Sequence, residues 1–535
     1  MEANGAPWWR DGVLYQIYPR SFADSNGDGI GDLRGIIDHL DHLQWLGIDG
    51  VWISPVMPSP NKDWGYDVSD YTGVHPDLGT LEDVDALVEE ASKRDIAIIF
   101  DIVPNHTSDQ HEWFQDALSS TDSRYRSFYV WADPKRDGSA PNNWISVFGG
   151  EPAWELDEAS GQYYLHNFLK HQPDLDWWNE EVREKFDDIL RFWFDRGVAG
   201  FRIDVAHALV KDRELRDNLP ATDDDHDRVR SLGQRSEYNM NRPEVHDVLR
   251  RWRKLCDTYD PKRILVGETF VMDLQEMARY YGDGEDELNL AFNFPFALSD
   301  FDVAILRGIV EATDELIPPQ GWPVWTASNH DVGRFSTRWC GDDPGKVKCI
   351  LMLLMTVRGT PFLYYGDEIG MPETKLSREQ LKDPVGLRDS NERPGRDPCR
   401  TPMHWTAGPG AGFTDPSATP WLPLGNADAC NVADQRKDPA SVLSFCRNLI
   451  ALRREAPELR RASYEPIGEA GPPWAWRRGK RWVVALNLSD DSATLDDAPG
   501  GTVALSTVHD HTGERVDAPL QLAPWEGVIV DASKR

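Results

Sequence analysis

Apolar residues along the chain alternate between two periods. Short, dense apolar runs are separated by longer segments whose apolar positions recur every three to four residues, the spacing of one helix face. Residues 13–18, 48–53 and 96–103 are the first three dense runs. The third is rich in β-branched and apolar residues, as expected of a strand covered on both faces. Between them, residues 33–46 read as a helix stopped by Gly47. Residues 81–93 read as a helix opened by Thr80 as N-cap, with Asp83 three residues on.

The alternation pauses from about residue 104 to 176, where Pro, Gly, Asn, Asp, Ser and Trp dominate and no period persists. It resumes with a helix over 182–194, whose Val182, Phe186, Ile189, Leu190, Trp193 and Phe194 share one face. A strand over 200–205 follows. Strands are then expected at 263–267, 288–292, 323–326 and 361–365. Helices are expected at 243–259, 304–316, 347–357 and 442–454. Eight strands alternating with helices predict an α/β fold, a (β/α)₈ barrel in preference to a doubly wound sheet. The expected division is a barrel over 1–103 and 178–462, an irregular domain over 104–177 inserted after the third strand, and a C-terminal domain over 463–535. In the last, short strands at 474–477, 482–488, 503–508 and 527–530 between turns predict an antiparallel β-sandwich.

In such a barrel, chemistry sits at the C-terminal ends of the strands. The third strand ends in Asp101-Ile-Val-Pro-Asn105-His106, the fourth in Arg202-Ile-Asp204, the fifth in Gly267-Glu268-Thr269 and the seventh in Ser328-Asn329-His330-Asp331. Taken alone, Arg202 and Asp204 could be a structural ion pair on one strand face. Together the four ends bring Asp204, Glu268 and Asp331, with two His and one Arg, to one rim. A metal site is one reading of this set, but no His-x-x-x-His or Glu-x-x-His pair supplies it. Acetal cleavage is the better chemistry. It needs one carboxylate as nucleophile and one carboxylic acid to protonate the leaving oxygen. A third carboxylate can hold sugar hydroxyls and raise the acid's pKa.

Size and charge narrow the picture. The chain has 535 residues, room for a barrel and smaller domains, and 22 Trp that can stack on a ligand. A net charge of −33 disfavours nucleic acid and anionic membrane as partners and favours a neutral or cationic ligand. No apolar run reaches membrane-spanning length, and residues 1–10 lack the apolar core of a signal peptide. The six Cys are scattered without a Cys-x-x-Cys pair, the pattern of free thiols in a reducing compartment, and the cytoplasm is the expected location. No feature of the sequence bears on oligomeric state.

The four strand ends, in order and spacing, resemble the motifs of glycoside hydrolase family 13, the α-amylase family, and the resemblance spans nearly the whole chain. Gln172-Pro-Asp-Leu175 resembles the motif of its oligo-1,6-glucosidase and α-glucosidase subgroup. The resemblance implies Asp204 as the nucleophile that forms a covalent β-glucosyl-enzyme. It implies Glu268 as general acid and then base, and Asp331 as the group that fixes the 2- and 3-hydroxyls of the terminal glucose. Arg202 would orient Asp204, and His106 and His330 would hydrogen-bond the same sugar. Asp63-Trp-Gly-Tyr66-Asp is similar to the family's segment after the second strand, which places Tyr66 on the glucose ring and Asp63 on its 4- and 6-hydroxyls. Arg400, in Cys-Arg-Thr-Pro-Met-His, resembles the Arg that closes the pocket with Asp63 and so implies exo attack. Phe148 and Phe168 lie where relatives place aromatics at the +1 site; ordinary packing is the alternative.

Asp24-Ser-Asn26-Gly-Asp28-Gly-Ile30-Gly-Asp32 places oxygen donors at alternate positions, as a hard cation prefers. It begins like an EF-hand loop, but position 12 is Gly35, not Glu. By resemblance, Asp24, Asn26, Asp28, the Ile30 carbonyl and Asp32 would hold structural calcium or magnesium. A Gly/Asp turn without metal is the alternative. No catalytic cofactor is implied. The expected substrate is a small α-glucoside or oligosaccharide of maltose type. Isomaltose-type substrates are the alternative, because Val205 follows the nucleophile, although Val205-Ala206-His207 departs from the Val-Ile-Asn of oligo-1,6-glucosidases. A transglucosylase acting on sucrose is a further alternative. The Arg-Leu-Asp-Arg-Asp run of sucrose isomerases is absent.

Overall fold

A computed structural model describes residues 7–533 except 149, 319–320, 390–392 and 469–470. Residues 1–6 and 534–535, the ends of the expected barrel and C-terminal spans, lie outside the described residues, as do 390–392 of the long segment after the eighth strand. Eight parallel strands close a barrel: β1 (Leu14–Ile17), β2 (Gly50–Ile53), β3 (Ala97–Ile102), β4 (Gly200–Ile203), β5 (Ile264–Gly267), β6 (Leu290–Phe292), β7 (Pro323–Trp325) and β8 (Thr360–Tyr364). All eight fall inside the stretches expected from the sequence, apart from the first residue of β8. Each strand pairs with its neighbours in sequence, and β1 closes on β8 through Leu14–Phe362, Tyr15–Leu363 and Gln16–Tyr364.

Period two along the strands decides what fills the barrel. Leu14, Trp52, Ile99, Ile264, Val266, Leu290, Phe292, Val324 and Phe362 form the apolar interior. Two residues further along, the same inward face turns polar: Asp101 follows Ile99, and Glu268 follows Val266. Register sets Asp101 beside Arg202 and Arg202 beside Val266. The polar layer therefore caps the apolar plug at the C-terminal rim.

The helix expected over 33–46 is two helices, Leu33–Asp38 and Leu40–Leu46, broken at His39. His39 Nδ1 turns back to the Gly35 carbonyl at 2.8 Å, and its ring lies 4.0 Å from that of Trp405. Periodicity is blind to this break because both halves bury the same face. Gly47 ends the second half with φ +97°, and Thr80 and Asp83 form a reciprocal capping box on the helix Leu81–Ser92.

Between β3 and β4 the chain builds a three-stranded antiparallel sheet from Trp131–Ala132, Gln162–Leu165 and Trp154–Asp157. The irregular stretch after β4 docks onto it: Trp144 Nε1 donates to the Arg216 carbonyl at 2.9 Å and Asn142 Nδ2 to that of Leu215 at 3.0 Å. After the helix Val442–Glu455 comes a six-stranded sheet, with a separate pair of strands formed by Ala493–Leu495 and Leu520–Leu522. One sheet face carries Ala475, Val483, Val503, Val528 and Val530 in its own core. The other places Trp476 against the barrel helix Pro344–Thr356, its Nε1 donating to the Thr356 carbonyl at 3.4 Å. All six Cys are free. Among the described residues no helix is long and apolar enough to cross a membrane.

Candidate active site

Arg202 is the hub of the rim. It is 1% exposed, and its Nη1 donates to Asp101 Oδ1 at 3.0 Å and to Asp204 Oδ1 at 2.8 Å. Its Nη2 lies 2.7 Å from Glu268 Oε2. The rings of Trp52 and Tyr66 flank the guanidinium at 4.9 and 5.8 Å. One cation thus meets three buried carboxylates. Burial pushes the Asp204 pKa well above the ordinary range; Arg202 opposes that, and the charges of Glu268 and Asp101 add to it. Burial likewise raises Asp101 to about 7, against Arg202 and the Tyr66 hydrogen bond. One arginine faces three carboxylates, so burial and their mutual repulsion oppose full ionisation of the set.

β4 ends at Ile203, so Asp204 and Val205 stand one step past the strand. Val205 adopts φ +37°, a conformation that costs a β-branched residue about 1–3 kcal/mol. Two contacts hold it: its N–H donates to Glu268 Oε2 at 2.9 Å, and its carbonyl accepts from Ala208 N at 2.8 Å. The turn aims Asp204 across the rim, while Ala206 N binds the Glu268 carbonyl at 2.9 Å and fixes the two strand ends to each other.

On the opposite side, His330 is fully buried with both ring nitrogens engaged. Gln16 Nε2 donates to Nδ1 at 2.7 Å, so the proton sits on Nε2, 2.6 Å from Tyr66 Oη. Tyr66 in turn donates to Asp101 Oδ2 at 3.0 Å and lies parallel to the His330 ring at 5.2 Å. Burial opposes ionisation of Asp331, but His330, Arg396, Arg400 and Arg202 outweigh it and hold its pKa far below the usual carboxylate range. Asp331 is therefore a fixed anion at any working pH.

Two arginines four apart share that anion. Arg400 donates from Nη2 to Asp331 Oδ1 at 2.9 Å and from Nε to the His330 carbonyl at 2.8 Å. The partner of Asp63, however, is Arg396, not Arg400 as the sequence motif led us to expect. Arg396 Nη2 binds Asp63 Oδ1 at 2.7 Å and Nη1 binds Asp331 Oδ1 at 3.0 Å, with Asp383 holding the guanidinium from behind at 2.7 Å. Arg396 lies three residues before the Cys-Arg-Thr-Pro-Met-His motif that holds Arg400, and spacing does not say which side chain reaches the second-strand segment. Arg396 also lies over the Phe148 ring at 5.2 Å. Phe148 meets Phe168 edge-on at 5.3 Å, and Phe168 meets His106 at 5.2 Å. The two aromatics thus join the rim that runs from Arg396 to His106.

Gln172 was legible only as part of a motif, with no role attached. Its Nε2 donates to Asp63 Oδ2 at 3.1 Å and to the Tyr66 carbonyl at 3.3 Å, tying the second-strand segment to the insertion. Trp52 and Tyr18 belong to no motif, and Asp101 enters the sequence reading only as the first residue of the third strand's end, with no role attached. Tyr18 stacks on His330 at 6.0 Å, from a strand end that carries no charge to mark it.

The acidic loop lies in the connection after β1, next to the segment 413–421. Asp24 Oδ1 accepts from Asn26 N and Gly27 N at 3.0 and 2.7 Å. Asn26 Oδ1 accepts from Asp28 N at 2.9 Å, and Asp28 Oδ1 from Ile30 N at 2.8 Å. Asp32 Oδ1 caps the helix at Gly35 N, and its Oδ2 takes Ser25. Among the described residues no three Asp, Glu, His or Cys side chains form a preformed metal cage. The donor set of hard oxygens still suits a hard cation, because each oxygen has a second lone pair.

A closed parallel barrel with two facing carboxylates, a third fixed as an anion, and an arginine-closed end is the architecture of a glycoside hydrolase. The family model for the α-amylase catalytic domain matches residues 16–462. A probable α-glucosidase of Rhizobium meliloti is 42% identical over 97% of this chain and 96% of its own. An oligo-1,6-glucosidase of Heyndrickxia coagulans is 38% identical over 98% of this chain and 99% of its own. The crystal structure of an α-glucosyl transfer enzyme superposes with a TM-score of 0.90 at 40% identity, covering 98% of this chain and all of that one. The chain belongs to the α-amylase family of glycoside hydrolases.

Proposed function

We propose that the protein is a retaining, exo-acting α-glucosidase that releases terminal glucose from maltose-like oligosaccharides. The observation that carries this reading is the Asp63–Arg396–Asp331 bridge. It joins the second-strand segment, the end of the seventh strand and the segment after the eighth through charged hydrogen-bonding groups, which suits one terminal sugar and not a passing chain. Asp204 attacks the anomeric carbon as Glu268 gives its proton to the glycosidic oxygen, so the leaving sugar departs neutral. Glu268 then takes a proton from water, the water oxygen attacks the same carbon, and the Asp204 ester bond breaks. Asp331 and Arg400 hold the ring hydroxyls, and Arg202 keeps one oxygen of Asp204 anchored. The cytoplasm, in keeping with six free thiols, is the proposed location.

Rates on maltose, isomaltose, sucrose and trehalose, with products separated, test the specificity. Maltose is expected to give the highest kcat/KM, with glucose as main product. An isomaltose preference would move the chain to the oligo-1,6-glucosidase reading, which Val205 and the Heyndrickxia coagulans relative support. Predominant transfer products would move it to the glucosyl-transfer reading, which the superposable transfer enzyme supports.

We also propose that the loop of Asp24, Asn26, Asp28, the Ile30 carbonyl and Asp32 takes calcium or magnesium as a structural ion. Chelation should lower Tm by a few degrees and millimolar calcium restore it, with both effects lost in Asp24→Ala. A Tm insensitive to chelator, with no metal found by elemental analysis, would remove the ion from the account.

A further inference from the structure

Behind the glucose pocket lies a buried polar chain that no step of the cleavage uses. Lys211 is 3% exposed, and its ammonium lies 2.6 Å from Asn105 Oδ1, 2.8 Å from Asp174 Oδ2 and 3.2 Å from the Leu209 carbonyl. An ammonium only donates, so the face that Asn105 turns to it must be the amide oxygen. The amide nitrogen of Asn105 then faces Asp174 Oδ2 at 3.1 Å and His106 Nδ1 at 3.0 Å. Asp174 is itself set by Asn167, whose N and Nδ2 donate to it at 2.8 and 2.7 Å. An amide nitrogen accepts nothing, so His106 Nδ1 must be bare. The single proton of the neutral ring then sits on Nε2, where the Tyr66 carbonyl accepts at 3.0 Å.

A second network is within reach. Gln172 Oε1 takes the Leu169 N–H at 3.1 Å, which leaves its Nε2 as a donor 3.1 Å from His106 Nε2. Were the proton on Nδ1, Nε2 would accept from Gln172 instead. The ring thus has two possible partners at Nε2; the Tyr66 carbonyl, which only accepts, and the Asn105 amide, which only donates, both select the Nε2–H form. We propose that Lys211 is a positioning residue for the glucose pocket: through Asn105, and together with the Tyr66 carbonyl, it holds His106 as the Nε2–H tautomer, so that the ring turns a donor and not an acceptor toward that carbonyl. The consequence for catalysis rests on the reading of His106 as a group that touches the terminal sugar. Burial depresses the His106 pKa to about 4, so the ring is neutral and its one proton has to be placed.

Nitrogen NMR of [¹⁵N]histidine-labelled enzyme tests this, with His106 assigned from the signal lost in His106→Asn. In the wild type, one-bond proton coupling is expected at Nε2 of His106 and not at Nδ1; the reverse overturns the proposal without any variant. In Asn105→Asp the carboxylate accepts from the ring, and the proton should move to Nδ1. In Lys211→Met only the bond to Asp174 still orients the Asn105 amide, and a population of Nδ1–H should appear. Lys211→Arg should keep the wild-type pattern. Folded Asn105→Asp or Lys211→Met protein with an unchanged His106 spectrum would show that the lysine does not set the tautomer. Both variants should lose about tenfold in kcat/KM, the size of one hydrogen bond. Unchanged activity in His106→Asn would instead remove the sugar-contact reading and leave the tautomer assignment standing.

Discussion

Asp204→Asn is expected to lower kcat on p-nitrophenyl α-glucoside by on the order of 10⁴-fold or more, because the amide cannot form the covalent intermediate. The same change should not unfold the barrel, and its effect on stability has a definite sign. The folded-state pKa of Asp204 is raised by burial and by the neighbouring Glu268 and Asp101. A group of this kind contributes stability below its unfolded pKa and loses it as pH rises toward the folded value. Asn stays neutral throughout, so Tm of the variant should match the wild type in acid and exceed it increasingly toward neutral pH. A variant that keeps wild-type turnover would remove Asp204 as nucleophile. A variant whose Tm advantage shrinks as pH rises would show that the carboxylates do not crowd one another.

Glu268→Gln should separate the proton donor from the rest of the machinery. Gln keeps the shape of the side chain but has no proton to give. On maltose, whose leaving sugar needs protonation, kcat/KM should fall about 10²–10⁴-fold. On a dinitrophenyl α-glucoside, which departs as a stable anion, the loss in the first step should be much smaller. The two substrates thus report whether the defect lies in proton delivery. An equal loss on both would mean that Glu268 acts through structure, for example by holding the Val205 N–H, and not as the acid.

The fold was largely legible because a closed parallel barrel makes both signals strong. Its strands are dense apolar runs and its helices carry a single buried stripe, so all eight strands could be placed to within a few residues. Legibility failed where one pattern serves two structures, as at His39, where two helices bury one common face. It also failed for the two- and three-residue strands of the C-terminal domain, Arg515–Val516 and Ala493–Leu495, too short to show any period. The carboxylates of the candidate site were readable because each follows a recognisable strand. Arg396, Gln172 and Lys211 were not, because they reach the site from irregular segments. There only the folded chain says that residue 396 meets residue 63, or that residue 211 stands behind residue 106. Val205 shows both sides: the sequence marked it for its bearing on linkage, while its φ of +37° and its bond to Glu268 appear only in three dimensions.

The central claim is double displacement at one anomeric carbon, with Asp204 and Glu268 in the two roles. It is tested most directly by proton NMR of glucose released from an α-glucoside in the first moments of reaction, before the anomers equilibrate. Two inversions return the starting configuration, so α-glucose should appear first and β-glucose only later, at the rate of free mutarotation. β-Glucose as the initial product would mean single displacement by water and would contradict the account.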